Sequence, residues 1–222
     1  MKSRTALLIG NEGINKLQNS NIIVFGIGGV GGHIVEMLIR AGVENITLVD
    51  YDKVSLSNIN RQIIALHSTI GEYKVDVMRD RLLDINPNVK ITIYRERYTA
   101  DNRDMFFSQK YDYVIDAIDD VSNKVDLIYY CKTNNIPIIS AMGAGNRYSV
   151  PDFKIADISK TYNDGLCKVV RKKLRDLGIT NHTVAFTDYV ANKTSGEIGS
   201  ISFYPAMCGC VIAGHVINEL IK

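Results

Sequence analysis

Short apolar runs alternate with longer amphipathic stretches along the chain, and this alternation sets the expected architecture. Runs rich in β-branched and aromatic residues predict strands at Ile22–Phe25, Ile46–Val49, Ile91–Tyr94, Tyr113–Ala117, Pro137–Ala141, Lys154–Asp157, Thr183–Thr187 and Ser200–Phe203. Apolar positions at helical spacing predict helices near 31–41, 74–85, 102–108, 123–134, 166–177 and 206–221, preceded by one over Leu7 to Leu17. Strand-helix units of this length join by right-handed crossovers. The expected fold is therefore α/β: a Rossmann-like, mostly parallel sheet with helices on both faces. The later strands extend the sheet, some of them antiparallel.

Glycines punctuate the first of these units. Gly26-Ile-Gly28-Gly29-Val-Gly31 follows the first strand and opens the first amphipathic stretch. In that context the free N–H groups of a helix start, with the positive end of its dipole, favour phosphate. Asp50 ends the next strand, where a carboxylate can accept hydrogen bonds from ribose hydroxyls. By themselves these residues favour a nicotinamide or flavin dinucleotide.

The next segment changes that reading. Asp52, Ser57-Asn58-Ile-Asn60-Arg61-Gln62 and Lys74 follow closely on Asp50. A hydride-transfer enzyme has no evident use for such a set, whereas a triphosphate does: amides donate to its oxygens, Arg grips two of them, and Lys adds a compact charge. The run Tyr111-Asp-Tyr-Val-Ile-Asp116-Ala-Ile-Asp119-Asp120 then ends a strand in carboxylates, which beside phosphates invite magnesium. Asp119 is the expected ligand, with Asp116 or Asp120 capping the helix that follows.

Taken together, GxGGVG, DxDxVxxSNxxRQ, GxxK ending at Lys74, and DAxDD resemble the ubiquitin-activating-enzyme-like, ThiF/MoeB-like family of ATP-dependent adenylating enzymes. The resemblance implies ATP and Mg2+ as cofactors. It assigns Gly26, Gly28, Gly29, Gly31, Asp50, Asp52, Asn58, Arg61, Gln62 and Lys74 to the nucleotide and Asp119 to the metal. Its catalytic set is Arg61, Lys74, Asp119 and Arg4, the last reaching across a homodimer interface to the partner's ATP. The segments Ser140-Ala-Met-Gly143-Ala-Gly145-Asn-Arg147, Asp157-Ile-Ser-Lys160-Thr161 and Val170-Arg171-Lys-Lys-Leu-Arg175 look like the tRNA threonylcarbamoyladenosine dehydratase branch. That branch activates the carboxylate of the modified nucleoside so that it closes into a ring. Gly165 and Thr187-Asp188 depart from the branch pattern outside the ATP site.

The second half supports an RNA partner independently. Leu166, Val169, Val170, Leu174 and Leu177 fall on one helical face, while Lys168, Arg171, Lys172 and Arg175 share the other. From Lys154 through His182, Lys and Arg outnumber Asp and Glu seven to three, on a chain of net charge only +2. A local basic stripe of this kind suits a polyanion, and those four cations are the candidate tRNA contacts.

Composition narrows the alternatives. With 46% hydrophobic residues among 222, the chain can bury a sizeable core, and a single ThiF-type domain over 1–222 is expected. Residues 1–150 form its ATP-binding core and 151–222 its tRNA-facing, dimerising extension. No basic-apolar leader precedes the first motif, and Tyr204 to Ile217 is too short to span a membrane, so a cytoplasmic protein is expected. That apolar stretch reads as a buried C-terminal helix able to join subunits. Cys131, Cys167, Cys208 and Cys210 contain no Cys-x-x-Cys pair, which weakens the main alternative, an adenylyltransferase of a sulfur-carrier C-terminus. A sulfur-relay protein remains an expected partner, and Cys167, beside Lys168, is a candidate thioester nucleophile. A regulatory nucleotide-binding module without turnover is the reading from another class.

Overall fold

The computed structural model describes residues 2–150, 152–193 and 196–222. Among these residues seven strands build the sheet: β1 (Asn21–Phe25), β2 (Asn45–Val49), β3 (Lys90–Tyr94), β4 (Tyr113–Asp116), β5 (Ile138–Ala141), β6 (Phe153–Asp157) and β7 (Thr183–Thr187). Their order is β3-β2-β1-β4-β5-β7-β6, and every pairing is parallel except β6 against β7. Phe25 pairs with both Val49 and Asp116, so three strands end level and release their following residues at one edge. Chain order reverses between β1 and β4, the crevice where such sheets bind ligands.

Among the described residues seven helices cover the sheet: α1 (Ser3–Asn19), α2 (Gly31–Ala41), α3 (Lys74–Ile85), α4 (Arg103–Phe106), α5 (Val121–Thr133), α6 (Gly165–Asp176) and α7 (Phe203–Leu220). Alternation along β1 divides the core. Ile22 and Val24 pack with Ile34 of α2, Met78 of α3 and Ile212 of α7, while Ile23 and Phe25 pack with Phe106 of α4, Ile128 of α5 and Val170 of α6. Each such fully buried side chain contributes about 1.5–3 kcal/mol.

Two expectations are corrected. Ser200–Phe203 is not a strand: the Ser200 carbonyl accepts the Asn60 side-chain amide at 2.9 Å, and α7 begins at Phe203. Pro205 sits in the first turn of α7, where its missing N–H leaves no helical bond unmade. The stretch expected to be helical near 102–108 is a single turn. The apolar face of α7 is used within its own subunit. A Cβ on Gly209 would lie 2.7 Å from the Val30 carbonyl oxygen, so α7 rests directly on the start of α2. α7 still exposes Phe203 and Met207, at 37% and 43%, and α1 exposes Leu7 and Leu8 at 80% and 87%. No helix among the described residues is long and apolar enough to cross a membrane.

Candidate nucleotide and substrate site

The level ends of β1, β2, β4 and β5 open into a cavity of about 810 Å³. Gly26 leaves β1 with φ +90°, and a Cβ there would meet the Ala117 carbonyl oxygen at 2.6 Å. Only glycine admits this turn beside β4. A Cβ on Gly31 would come within 1.8 Å of the Gly26 carbonyl oxygen, so Gly31 serves close packing of α2 and does not line the cavity. Gly28 and Gly29 do line it. No side chain caps α2; the Gly32 N–H donates to the Gly28 carbonyl at 3.0 Å, and Gly28, Gly29 and Val30, just ahead of the helix, line the cavity.

Asp50 ties the loop to β2. One carboxylate oxygen accepts the Ile27 N–H at 2.6 Å and the other the Asp52 N–H at 2.8 Å. Burial pushes its carboxyl above the ordinary range, against the pull of the Lys74 charge and those two N–H groups. Lys74 is buried at the first position of α3, with Nζ 2.7 Å from Asp52 Oδ2, and both residues line the cavity. Gln62 is buried on the same wall, and its Oε1 has no hydrogen-bond partner among the described residues. A buried carboxamide oxygen left unpaired on this wall is an atom that a polar ligand can complete. Arg61 also lines the cavity, its Nη1 donating to the Ser57 carbonyl and Asn60 Oδ1, both at 2.8 Å. Asn58 departs from expectation. It is buried outside the cavity lining, and its carboxamide oxygen accepts the Ser55 N–H at 3.1 Å, closing a local turn.

The three aspartates after β4 have separate tasks. Asp116 is fully buried and holds Lys124 Nζ at 2.7 Å. Asp120 caps α5 by accepting the Asn123 N–H at 2.8 Å. Asp119 stays exposed on the cavity wall. Among the described residues no three His, Cys, Asp or Glu side chains converge on a metal position. One carboxylate beside a phosphate-binding wall nevertheless suits magnesium, which takes most of its ligands from phosphate and water. Arg97 was not foreseen: it stacks 5.5 Å over the Tyr51 ring and meets Asp120 at 3.4 Å, all three lining the cavity. Its place just past the C-terminal end of β3 was the available signal.

The far end of the cavity is built by residues 143–147, the start of α6 and the segment after β7. Arg147 is buried and donates to the carbonyls of Gly143 at 2.8 Å, Gly145 at 3.2 Å and Tyr189 at 2.7 Å, with Asp164 Oδ2 at 3.4 Å. Asp164 accepts the Gly143 N–H and caps α6 through the Cys167 N–H. Asn146 adds a second tie, its side-chain oxygen accepting the Gly199 N–H at 2.6 Å.

On α6, Lys168, Lys172 and Arg175 face solvent. Arg171 does not join them freely. It is half-buried, and its Nη1 donates to the Ile158 and Thr161 carbonyls and the Thr161 hydroxyl. Cys167, Val170 and Leu174 form the buried stripe, whereas Val169 and Leu177 are exposed, contrary to the pattern reading. Cys167 is fully buried, and burial, then the Asp164 charge, pushes its thiol up to about 12, the opposite of an activated thiolate. Cys208 is buried and Cys210 exposed. Arg4 lies exposed on α1, outside the lining of its own cavity.

Comparison with known proteins places this geometry. A model described as the ThiF family matches residues 2–222. The chain is 41% identical to the tRNA threonylcarbamoyladenosine dehydratase of Bacillus subtilis, over 99% of this chain and 94% of that protein. The crystal structure of the E. coli tRNA N6-threonylcarbamoyladenosine dehydratase TcdA in complex with ATP superposes with a TM-score of 0.93 at 33% identity, covering 99% of this chain and 93% of that one. The molybdopterin-synthase adenylyltransferase of Salmonella typhimurium is 36% identical over only 58% of this chain and 51% of its own length.

Proposed function

The chain belongs to the ThiF family, and we propose that it is an ATP-dependent enzyme that activates the carboxylate of threonylcarbamoyladenosine in tRNA and promotes its cyclisation. The observation that carries this reading is one continuous cavity. The glycine loop, Asp50, Lys74 and Asp119 line one end, and α6, whose neighbouring face is basic, lines the other. A triphosphate and a nucleoside of a bound polyanion can meet in such a space.

A carboxylate is a poor electrophile until its oxygen becomes a leaving group. Its attack on a phosphoryl group of ATP displaces pyrophosphate or ADP, and a nitrogen or oxygen of the same modification then attacks the acyl carbon, expelling AMP or phosphate. In this reading Asp50 orients the ribose, and Gly28, Gly29 and the uncapped start of α2 hold the phosphates. Lys74 and Arg61 neutralise the charge that develops on the departing group. Asp119 would hold magnesium at this wall, and the ion would add further neutralisation of that charge. Ring closure needs no strong base, because the two reacting groups share one small molecule at high effective concentration.

The same proposal includes residues 1–150 as the ATP-binding core and 151–222 as the tRNA-facing extension. It also includes a homodimer joined through α1, a cytoplasmic site of action and a sulfur-relay protein as an accessory partner. The dehydratase reading is favoured over a sulfur-carrier adenylyltransferase because the Bacillus subtilis relative spans both ends of the cavity. Nucleoside analysis of tRNA from cells lacking this protein tests it. The cyclic nucleoside should disappear and its open form accumulate. Persistence of the cyclic form, with no paralogue present, overturns the reading.

A further inference from the structure

Helix α6 carries more apolar side chain than its core contact uses. Cys167, Val170 and Leu174 are buried against the sheet, yet Val169 is 44% exposed and, with Leu166, lines the far end of the cavity. Ile198, 76% exposed, lines the same cavity, close enough to Gly145 that a Cβ there would meet its Cγ2 at 2.3 Å. Branched aliphatic side chains left open around a cavity mark a place for a flat or apolar ligand group. Lys168 is next to Val169 in the chain, with Lys172 one turn further on, so cations flank this apolar end. The buried Arg147 and Asp164 bond each other and the surrounding backbone, which fixes the wall.

Resting on the tRNA reading above, we propose that this apolar end, walled by Leu166, Val169 and Ile198, seats the modified adenine nucleoside after it swings out of the tRNA loop. Lys168 and Lys172 hold the adjoining phosphates. A purine stacks favourably between aliphatic walls, and an unpaired loop base leaves its stack at small cost. Since this end and the glycine-loop end are one cavity, the nucleoside's own carboxylate extends toward the bound ATP. A carrier-protein tail, being a flexible peptide, has no need of a flat apolar seat.

Val169→Trp in the full chain fills the seat while leaving the buried stripe of α6 intact. With tRNA bearing threonylcarbamoyladenosine, kcat/KM should fall at least about tenfold, while ATP affinity by titration and the melting temperature stay at wild-type values. The free modified nucleoside should compete with tRNA for the wild-type enzyme and fail to bind the variant. Lys168→Ala should weaken tRNA binding and lower the slope of log affinity against log salt by about one. Wild-type turnover in Val169→Trp, or a parallel loss of ATP affinity, overturns the seat. Absence of turnover by the wild-type enzyme on that tRNA, with adenylation of a Gly-Gly peptide in its place, overturns the reading beneath it.

Discussion

Lys74 Nζ stands 2.7 Å from Asp52 Oδ2, although the lysine side chain is 7% exposed and the aspartate 45%. The Lys74 N–H also donates to the Asp52 carbonyl at 3.0 Å, so backbone and side chain together bind the start of α3 to the segment after β2. The pair thus delivers a buried cation to the cavity wall while its partner remains hydrated. Lys74→Ala leaves Asp52 in contact with water, and the fold should tolerate it. ATP turnover with modified tRNA should fall by about 10²–10³-fold in kcat, as when one preorganised charge-stabilising donor is removed. Pyrophosphate or phosphate release read beside a thermal melt checks both statements. An unchanged kcat would remove Lys74 from the reaction.

The cysteines make the second prediction. Cys131, Cys167 and Cys208 are buried and Cys210 is exposed. Burial raises the Cys208 thiol, like that of Cys167, to about 12. Brief alkylation of the native protein should therefore modify Cys210 alone, by peptide mass spectrometry. Cys167→Ala should retain turnover. A variant without activity but with wild-type stability would restore the thioester role that the geometry denies.

The third concerns acid. His182 is buried, its Nε2 2.8 Å from Ser140 Oγ, and its Nδ1 has no partner among the described residues. Burial, reinforced by Lys124 and Lys132 and opposed by Asp157, lowers its pKa from 6.5 to about 3. A depressed folded-state value means that the unfolded chain takes up the proton first. The stability this neutral ring contributes is complete above pH 6.5 and drains away as pH falls toward 3. Melting temperature should drop over that window, and His182→Gln should flatten the drop relative to wild type. Equal slopes in the two proteins would show that other groups carry the acid sensitivity.

Much of this was legible in the chain. All seven strands lie within one residue of their pattern-based limits, and β1, β2, β4, β5 and β7 do so because parallel strands buried on both faces read as compact apolar runs. Capping logic placed a helix cap among Asp116 and Asp120, and Asp120 takes it, while Asp116 pairs with Lys124 and Asp119 lines the cavity. What the pattern could not carry was competition between neighbours. Val169 fits a helical apolar stripe by spacing, but only the packing of α6 decides that Val170 takes the core and Val169 the cavity. Arg171 reads as one more cation until the chain reversal at Ile158 to Thr161 brings carbonyls to its guanidinium. Asn58 reads as a phosphate donor, yet it sits three residues after Ser55, where a carboxamide closes its own turn. Arg147 gave no spacing signal, since its partners on 143–145, 164 and 189 meet only in the folded chain.

The last prediction concerns Arg4 and Asp119, which the fold sets apart. Arg4 is exposed on α1 and outside its own cavity, whereas Asp119 lines that cavity. On the same helix, Leu7 and Leu8 present apolar surface that a second copy of the chain would cover. If Arg4 serves the partner's site, Arg4→Ala and Asp119→Ala should each be inactive alone, and mixing them should recover part of the activity. In a mixed dimer, one site keeps its own Asp119 and receives Arg4 from the neighbouring Asp119→Ala subunit. The other site lacks both. With random exchange of equal amounts, about half of the dimers are mixed and each holds one competent site, so activity should approach about one quarter of wild type by that counting. Differently tagged subunits, co-purified to prove exchange, make the result decisive. Exchange without recovery would assign Arg4 to its own subunit or to the packing of α1, and would leave Asp119 to act without a donated arginine.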